Sequence, residues 1–178
     1  KDKLVFSTFH QVKGLERKVV IVYSFDDSYF EAIQYCEANA KVFVHPFDDK
    51  RVIAGQGTVA VEILNDIKEP IDYIVMPVGG GGLISGVTSY FSHVSPETKI
   101  IGTEPLGAPS MDEAIKHKKV VTLEHIDKFV DGASVKKVGN EPFNIVKDAL
   151  DEMVLVPEGK ICSTIIKLYN EQAIVVEP

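Results

Sequence analysis

The sequence lacks most of what would mark a secreted, metal-stapled, membrane or nucleic-acid protein. It has two cysteines, Cys36 and Cys162. Two thiols in no C-x-x-C or paired spacing match neither a zinc ribbon nor a disulfide framework. That usage fits a reducing compartment, and the cytoplasm is the expected location. No apolar run approaches the roughly 20 residues of a membrane-spanning helix, and no signal peptide is recognisable. Long basic runs are missing too, and a net charge of −7 argues against nucleic acid or an anionic membrane as a partner. What remains is an ordinary globular composition, 45% hydrophobic and 25% charged over 178 residues. That is enough chain to bury a core, at the size of one domain or one and a half. The chain starts on Lys1 and ends on Glu177-Pro178, so it reads as a fragment.

Tyr73 to Val87, YIVMPVGGGGLISGV, is the stretch around which the rest is organised. Tyr73 to Val78 is apolar and rich in β-branched residues, and predicts a strand buried on both faces. Gly79, Gly80, Gly81 and Gly82 follow without a break. Leu83, Ile84 and Val87, then Tyr90 and Phe91, recur at helical spacing. Glycines between a strand and a helix let the backbone take positive φ and approach a ligand closely. The N–H groups of such a turn, with those of the first helical turn, converge into an anion nest. The expected guest is a phosphate, and Ser85 is placed to add a hydroxyl. The turn lacks the Gly-Lys-Ser/Thr ending of a P-loop.

Around this centre the pattern alternates between strand and helix. Val19 to Tyr23 reads as a strand, Tyr29 to Ala40 as a helix with Ile33 and Cys36 on its apolar face, and Lys41 to His45 as a strand, an order that implies a parallel pair. Pro46 to Asp49 is a turn, with Asp48 or Asp49 as a cap. Val52 to Gly57 leads into a helix capped by Thr58 and running to Leu64. Lone His45 reads as a hydrogen-bonded structural residue. Lys99 to Glu104 is a second buried strand. Its carboxyl end is where ligands bind in open α/β sheets, which places Glu104 well. Ser110 is the expected cap of a helix to about Lys118. A helix from Asn140 or Glu141 to about Leu150, a strand at Val154 to Val156, a helix from Gly159 to about Asn170 and a last strand from Ala173 complete the reading.

VGGGGLISG resembles the tetraglycine loop of fold-type II pyridoxal-phosphate enzymes, the tryptophan-synthase-β-like family. HPFDDKRVIAGQGTVAVEIL (45–64), EPLGAPSM (104–111), DGASVKKVG (131–139) and VLVPEGKICSTIIKLYNEQAIVVEP (154–178) resemble threonine dehydratase, in unbroken order over about residues 25–178. The resemblance implies an α/β fold with a mostly parallel sheet flanked by helices. It puts residues 1–55 in a remnant of the small subdomain and 56–178 in the core of the large cofactor-binding one. It also implies pyridoxal 5'-phosphate as cofactor, an amino acid as substrate, and elimination of water from L-threonine or L-serine. By the same resemblance Gly79, Gly80, Gly81 and Gly82 would cradle the cofactor phosphate, and Gly132 and Val135 would touch its ring. Glu104 and Ala108 align with two ligands of a divalent metal found in some relatives, while Ser110 stands where the third, an aspartate, would be. That absence weakens a site for a hard cation.

Other parts of the family's machinery do not occur in this sequence. There is no Ser-Gly-Asn-His carboxylate loop, and no lysine sits in the context of the Schiff-base lysine, so the chain is not expected to turn over alone. The partner of the pyridine nitrogen is missing as well. Residues 1–25 resemble instead a motif of superfamily 1 (UvrD/Rep-type) helicases, on Thr8, His10, Lys13, Gly14 and Glu16. Two rival readings therefore stay open: a non-catalytic phosphate-binding module, and a nucleic-acid-binding segment. An unfinished sheet edge would favour self-association into a homo-oligomer.

Overall fold

A computed structural model describes residues 19–21 and 27–178, with side chains from Ile33 onward. The strand expected near Leu4 to Phe9 lies outside the described residues, as do Thr8, His10, Lys13, Gly14 and Glu16. Among the described residues there are two parallel sheets. In the first, β1 (Val19–Ile21) pairs with β2 (Val42–Val44), with α1 (Asp27–Ala38) between them. The second has the order β3-β4-β5, built from β3 (Tyr73–Pro77), β4 (Lys99–Pro105) and β5 (Glu152–Val156). Parallel neighbours need crossover connections. Here these are α4 (Gly82–Val94) between β3 and β4, and α5 (Ser110–His117) with α6 (Asn140–Val146) between β4 and β5. The chain also contains α2 (Lys50–Gln56), α3 (Thr58–Asp66) and, after β5, α7 (Glu158–Gln172).

The core lies on one side of the larger sheet. Met76 and Ile100 from the strands, and Val78 just after β3, meet Ile84, Val87 and Phe91 of α4, with Met111, Ala114, Phe143 and Val146 behind them. The 84-87-91 spacing puts those three α4 side chains on one helical stripe, and all are fully buried. Gly86 on α4 lets this helix lie against α2 and α3: a Cβ there would collide with the Ile53 carbonyl oxygen and the Gly57 nitrogen.

The expected two-sided burial of Tyr73 to Val78 is not found. Register alternation sends Ile74 and Met76 inward and Tyr73 and Val75 outward, and the outward pair is 57% and 60% exposed. Residues 50–56 are helical rather than a lead-in, and Gly57 separates α2 from α3. Thr58 is therefore the first residue of α3, not its cap, and its hydroxyl donates to the Gly55 carbonyl at 2.8 Å. Ser110 does not cap α5 either. Its hydroxyl donates to the Val135 carbonyl, and Glu104 caps the helix in its place. Residues 173–178 form no strand; Ala173 in a left-handed conformation ends α7. Among the described residues no helix is long and apolar enough to cross a membrane.

Candidate active site

The site is built where β3 gives way to α4. Gly81 caps α4 with φ of 94°, a left-handed conformation that costs glycine nothing and other residues strain. Any Cβ there would also stand 2.7 Å from Pro142 Cβ and 2.9 Å from Met111 Cε. The turn exposes a row of donors. Among the described residues, the N–H groups of Gly79 through Ile84 meet no backbone or side-chain acceptor. Gly80, Gly81, Gly82 and Ile84 are nevertheless buried. Buried N–H groups without partners are rare in folded proteins. A row of them at a helix N-terminus, where the helix dipole is positive, is what an anion such as a phosphate group would satisfy. These residues therefore fit the phosphate of pyridoxal 5'-phosphate. Ser85 does not extend the row, because its hydroxyl donates back to the Gly81 carbonyl at 2.6 Å.

Two other segments close on the glycine turn. The loop from Val130 to Val138 passes against Gly79, where a Cβ would stand 3.1 Å from Ala133 Cα. The Gly139 N–H then donates to the Gly80 carbonyl at 3.1 Å. Gly132, expected at the cofactor ring, is exposed on this loop. Val135 is buried, and its carbonyl accepts from Ser110. The Ser134 hydroxyl is buried with no hydrogen-bond partner among the described residues. A cavity of about 380 Å³ opens at the carboxyl ends of β3, β4 and β5, lined by Thr103, Glu104, Val130, Gly132, Ala133 and Val156 among others.

The second closing segment is the turn between β2 and α2, whose part in the site the residue pattern alone did not disclose. Phe47 packs on the glycine turn so closely that a Cβ on Gly80 would overlap its ring, and one on Gly82 would stand 2.9 Å from its Cβ. His45 accepts at Nδ1 from the N–H groups of Phe47 at 3.3 Å and Asp48 at 2.8 Å. Burial holds its pKa below the usual value, in keeping with a neutral structural histidine. Asp49 caps α2 through the Arg51 N–H at 2.8 Å. Asp48 instead reaches across to accept from the Glu141 N–H at 2.8 Å.

Glu104 is only 1% exposed. Its Oε1 accepts from the Met111 N–H at 2.7 Å and its Oε2 from the Asp112 N–H at 2.9 Å. Burial pushes its carboxyl up to about 7, against the lowering effect of those two bonds. The carboxylate is thus committed to capping α5. Ala108 is buried, and its carbonyl accepts from the Ser110 N–H at 3.0 Å. Among the described residues, no group of three or more His, Cys, Asp or Glu could hold a metal ion. Lys136 and Lys137 are exposed, and the Lys136 ammonium donates to the Glu124 carbonyl.

Comparison with known proteins agrees with this geometry. The family of pyridoxal-phosphate dependent enzymes matches residues 8–178, a span that begins within the helicase-like stretch. Over 155 residues the chain is 58% identical to the biosynthetic L-threonine dehydratase IlvA of Halalkalibacterium halodurans and 56% to that of Bacillus subtilis, covering 87% of this chain in each case. It spans only 37% of the length of either relative. The processed form of threonine deaminase isoform 2 from Solanum lycopersicum superposes with a TM-score of 0.82 at 38% identity, over 94% of this chain and 49% of that one.

Proposed function

The chain belongs to the family of pyridoxal-phosphate dependent enzymes, and from that premise we propose that it carries the cofactor-phosphate part of a threonine dehydratase site. The whole enzyme would convert L-threonine to 2-oxobutanoate and ammonia. The observation that carries the assignment is the row of partnerless N–H groups from Gly79 to Ile84, those of Gly80, Gly81, Gly82 and Ile84 on buried residues. Pyridoxal phosphate, when bound, supplies the electron sink that lets an amino acid lose its α-proton and β-hydroxyl. This chain's part is to bind and orient. The glycine turn holds the phosphate by backbone donors, and the helix dipole of α4 favours the negative charge. The Val130 to Val138 loop, tied down by the Gly139 to Gly80 bond, walls the cavity at the strand ends, with Gly132 and Val135 assigned to the ring. Division at about residue 55 into a small and a large subdomain belongs to the same reading, and two separate parallel sheets support it. A cytoplasmic location is part of the same proposal.

The exposed Lys136 and Lys137 do not serve as the Schiff-base lysine in this reading. Absorbance titration with pyridoxal phosphate, followed by borohydride trapping and peptide mapping, tests it. Saturable binding is expected, with no adduct at a lysine between residues 27 and 178 and no release of 2-oxobutanoate from threonine. Absence of any binding would overturn the cofactor assignment. An adduct at one lysine within that span would overturn the division of labour and make the chain catalytic by itself.

A further inference from the structure

Phe47 is unused by the assignment above, yet it touches the glycine turn more closely than any other side chain described near Gly80. Its position is fixed from several directions. The His45 and Phe47 rings meet edge to face, with centroids 4.7 Å apart. The His45 ring gathers the N–H groups of the turn, and Asp49 anchors its end to α2. Asp48 joins the turn to the start of α6 through the Glu141 N–H at 2.8 Å and the Asn140 side-chain amide at 3.3 Å. Gly139, just before α6, bonds in turn to Gly80. Residues 45–49, 79–82 and 139–141 therefore form one junction, with an aromatic ring pressed on the backbone of the anion nest.

We propose that Phe47 is the apolar wall of the phosphate site and that Asp48 is the latch holding it there. The proposal rests on the nest reading above. A ring in van der Waals contact with Gly80 keeps water from that side of the turn. Hydrogen bonds from the nest to an anion gain strength as local water is excluded. The ring donates no bond itself, so Phe47 is a positioning residue. It also makes Gly80 obligatory, since any side chain there would displace the wall.

Calorimetric titration of the full 178-residue chain with inorganic phosphate, and in parallel with pyridoxal 5'-phosphate, tests this. For Phe47→Ala both ligands should weaken about tenfold, roughly the worth of one hydrogen bond. Phe47→Leu, apolar and of similar reach, should recover most of that loss, and Phe47→Ser should not. Affinity within twofold of the unmodified chain in Phe47→Ala would overturn the wall while leaving the nest reading intact. If the unmodified chain binds neither ligand, the nest reading falls and this proposal with it. Should Phe47→Ala not fold, Asp48→Ala decides. It keeps the ring but frees the turn from α6, and about threefold weaker phosphate binding is expected; unchanged binding would overturn the latch.

Discussion

The two faces of the β3-β4-β5 sheet are made of similar residues and end in opposite states. On the inner face Met76, Val78 and Ile100 are at most 6% exposed, under α4, α5 and α6. On the outer face Tyr73 and Val75 stand 57% and 60% exposed. Of the helices, α7 follows β5 and reaches the outer face with Ile161, which lines the cavity beside Pro77, Thr103 and Val156. No residue of α7 is buried, and Ile166 and Tyr169 are 55% and 62% exposed. The strand Tyr-Ile-Val-Met-Pro is apolar at every position, so its composition suits cover on both sides. Cover is supplied by other segments, and the described residues supply it on one side only. The difference teaches that an apolar strand states a capacity for burial, while the helices decide which face realises it.

The sharpest way to break the comparison is to remove inner packing and outer packing in parallel. Phe91 is fully buried between helix and sheet. Phe91→Ala should cost about 3–5 kcal/mol, the usual range for emptying an aromatic site in a core. Gly86→Ala should cost about 1–3 kcal/mol by the opposite route. Its new Cβ meets backbone atoms of Ile53 and Gly57, which cannot rotate away as a flexible side chain could. Urea unfolding followed by circular dichroism measures both. A loss below about 1 kcal/mol in either variant would mean that the inner face is not the stabilising one.

Among the described residues Glu104 is the ionisable side chain buried on the inner side, and it makes the contrast depend on pH. Burial raises its folded pKa to about 7 from an ordinary value of 4.5. The folded state therefore binds a proton that the unfolded chain has released. The stabilisation is complete below the unfolded value and is lost as pH rises through the folded one. Between these limits stability should fall by on the order of 3 kcal/mol. Glu104→Gln, which cannot ionise, should flatten that slope in urea midpoints measured from about pH 5 to about pH 8. An unchanged slope in the variant would place the titration elsewhere.

Much of the architecture was legible because it rests on local signals. The strand-glycine-helix order of 73–94 follows from an apolar run, a glycine run and a helical repeat, and the parallel pairing follows from the alternation. The misreadings are places where another group competes for the same role, near in the chain for Thr58 and Ser85 and distant for Ser110. Ser110 has the side chain of a helix cap, but Glu104, brought alongside by β4, takes the N–H groups of Met111 and Asp112. Thr58 looks like a cap until Lys50 to Gln56 is found already helical. Ser85 is placed in sequence to serve the nest, yet the Gly81 carbonyl one turn back, which already accepts the Ser85 N–H, also takes its hydroxyl. Phe47 and Asp48 lie in a stretch that carries the family resemblance, but neither that nor the cap pattern assigns them a part in the site. Their partners Gly80 and Glu141 lie far along the chain, and only the fold brings them together.

The smallest effects belong to the outer face, and they sharpen the comparison by their size. Val75→Thr keeps a β-branched side chain in the strand and gives up little buried area, because the position is already largely in water. Stability should change by no more than about 0.5 kcal/mol. Tyr73→Thr should cost somewhat more, because it also loses the Lys99 ammonium lying 5.6 Å from its ring centre, a contact worth about 0.5–1 kcal/mol at an exposed site. What these substitutions should change is association. Among the described residues Tyr73 and Val75 lie on an edge strand of their sheet, and exposed apolar edges template pairing between chains. The double variant should therefore sediment as a smaller species than the unmodified chain at equal concentration. If instead it unfolds at much lower urea, the outer face contributes packing that its exposure does not reveal. The two faces would then differ in degree and not in kind.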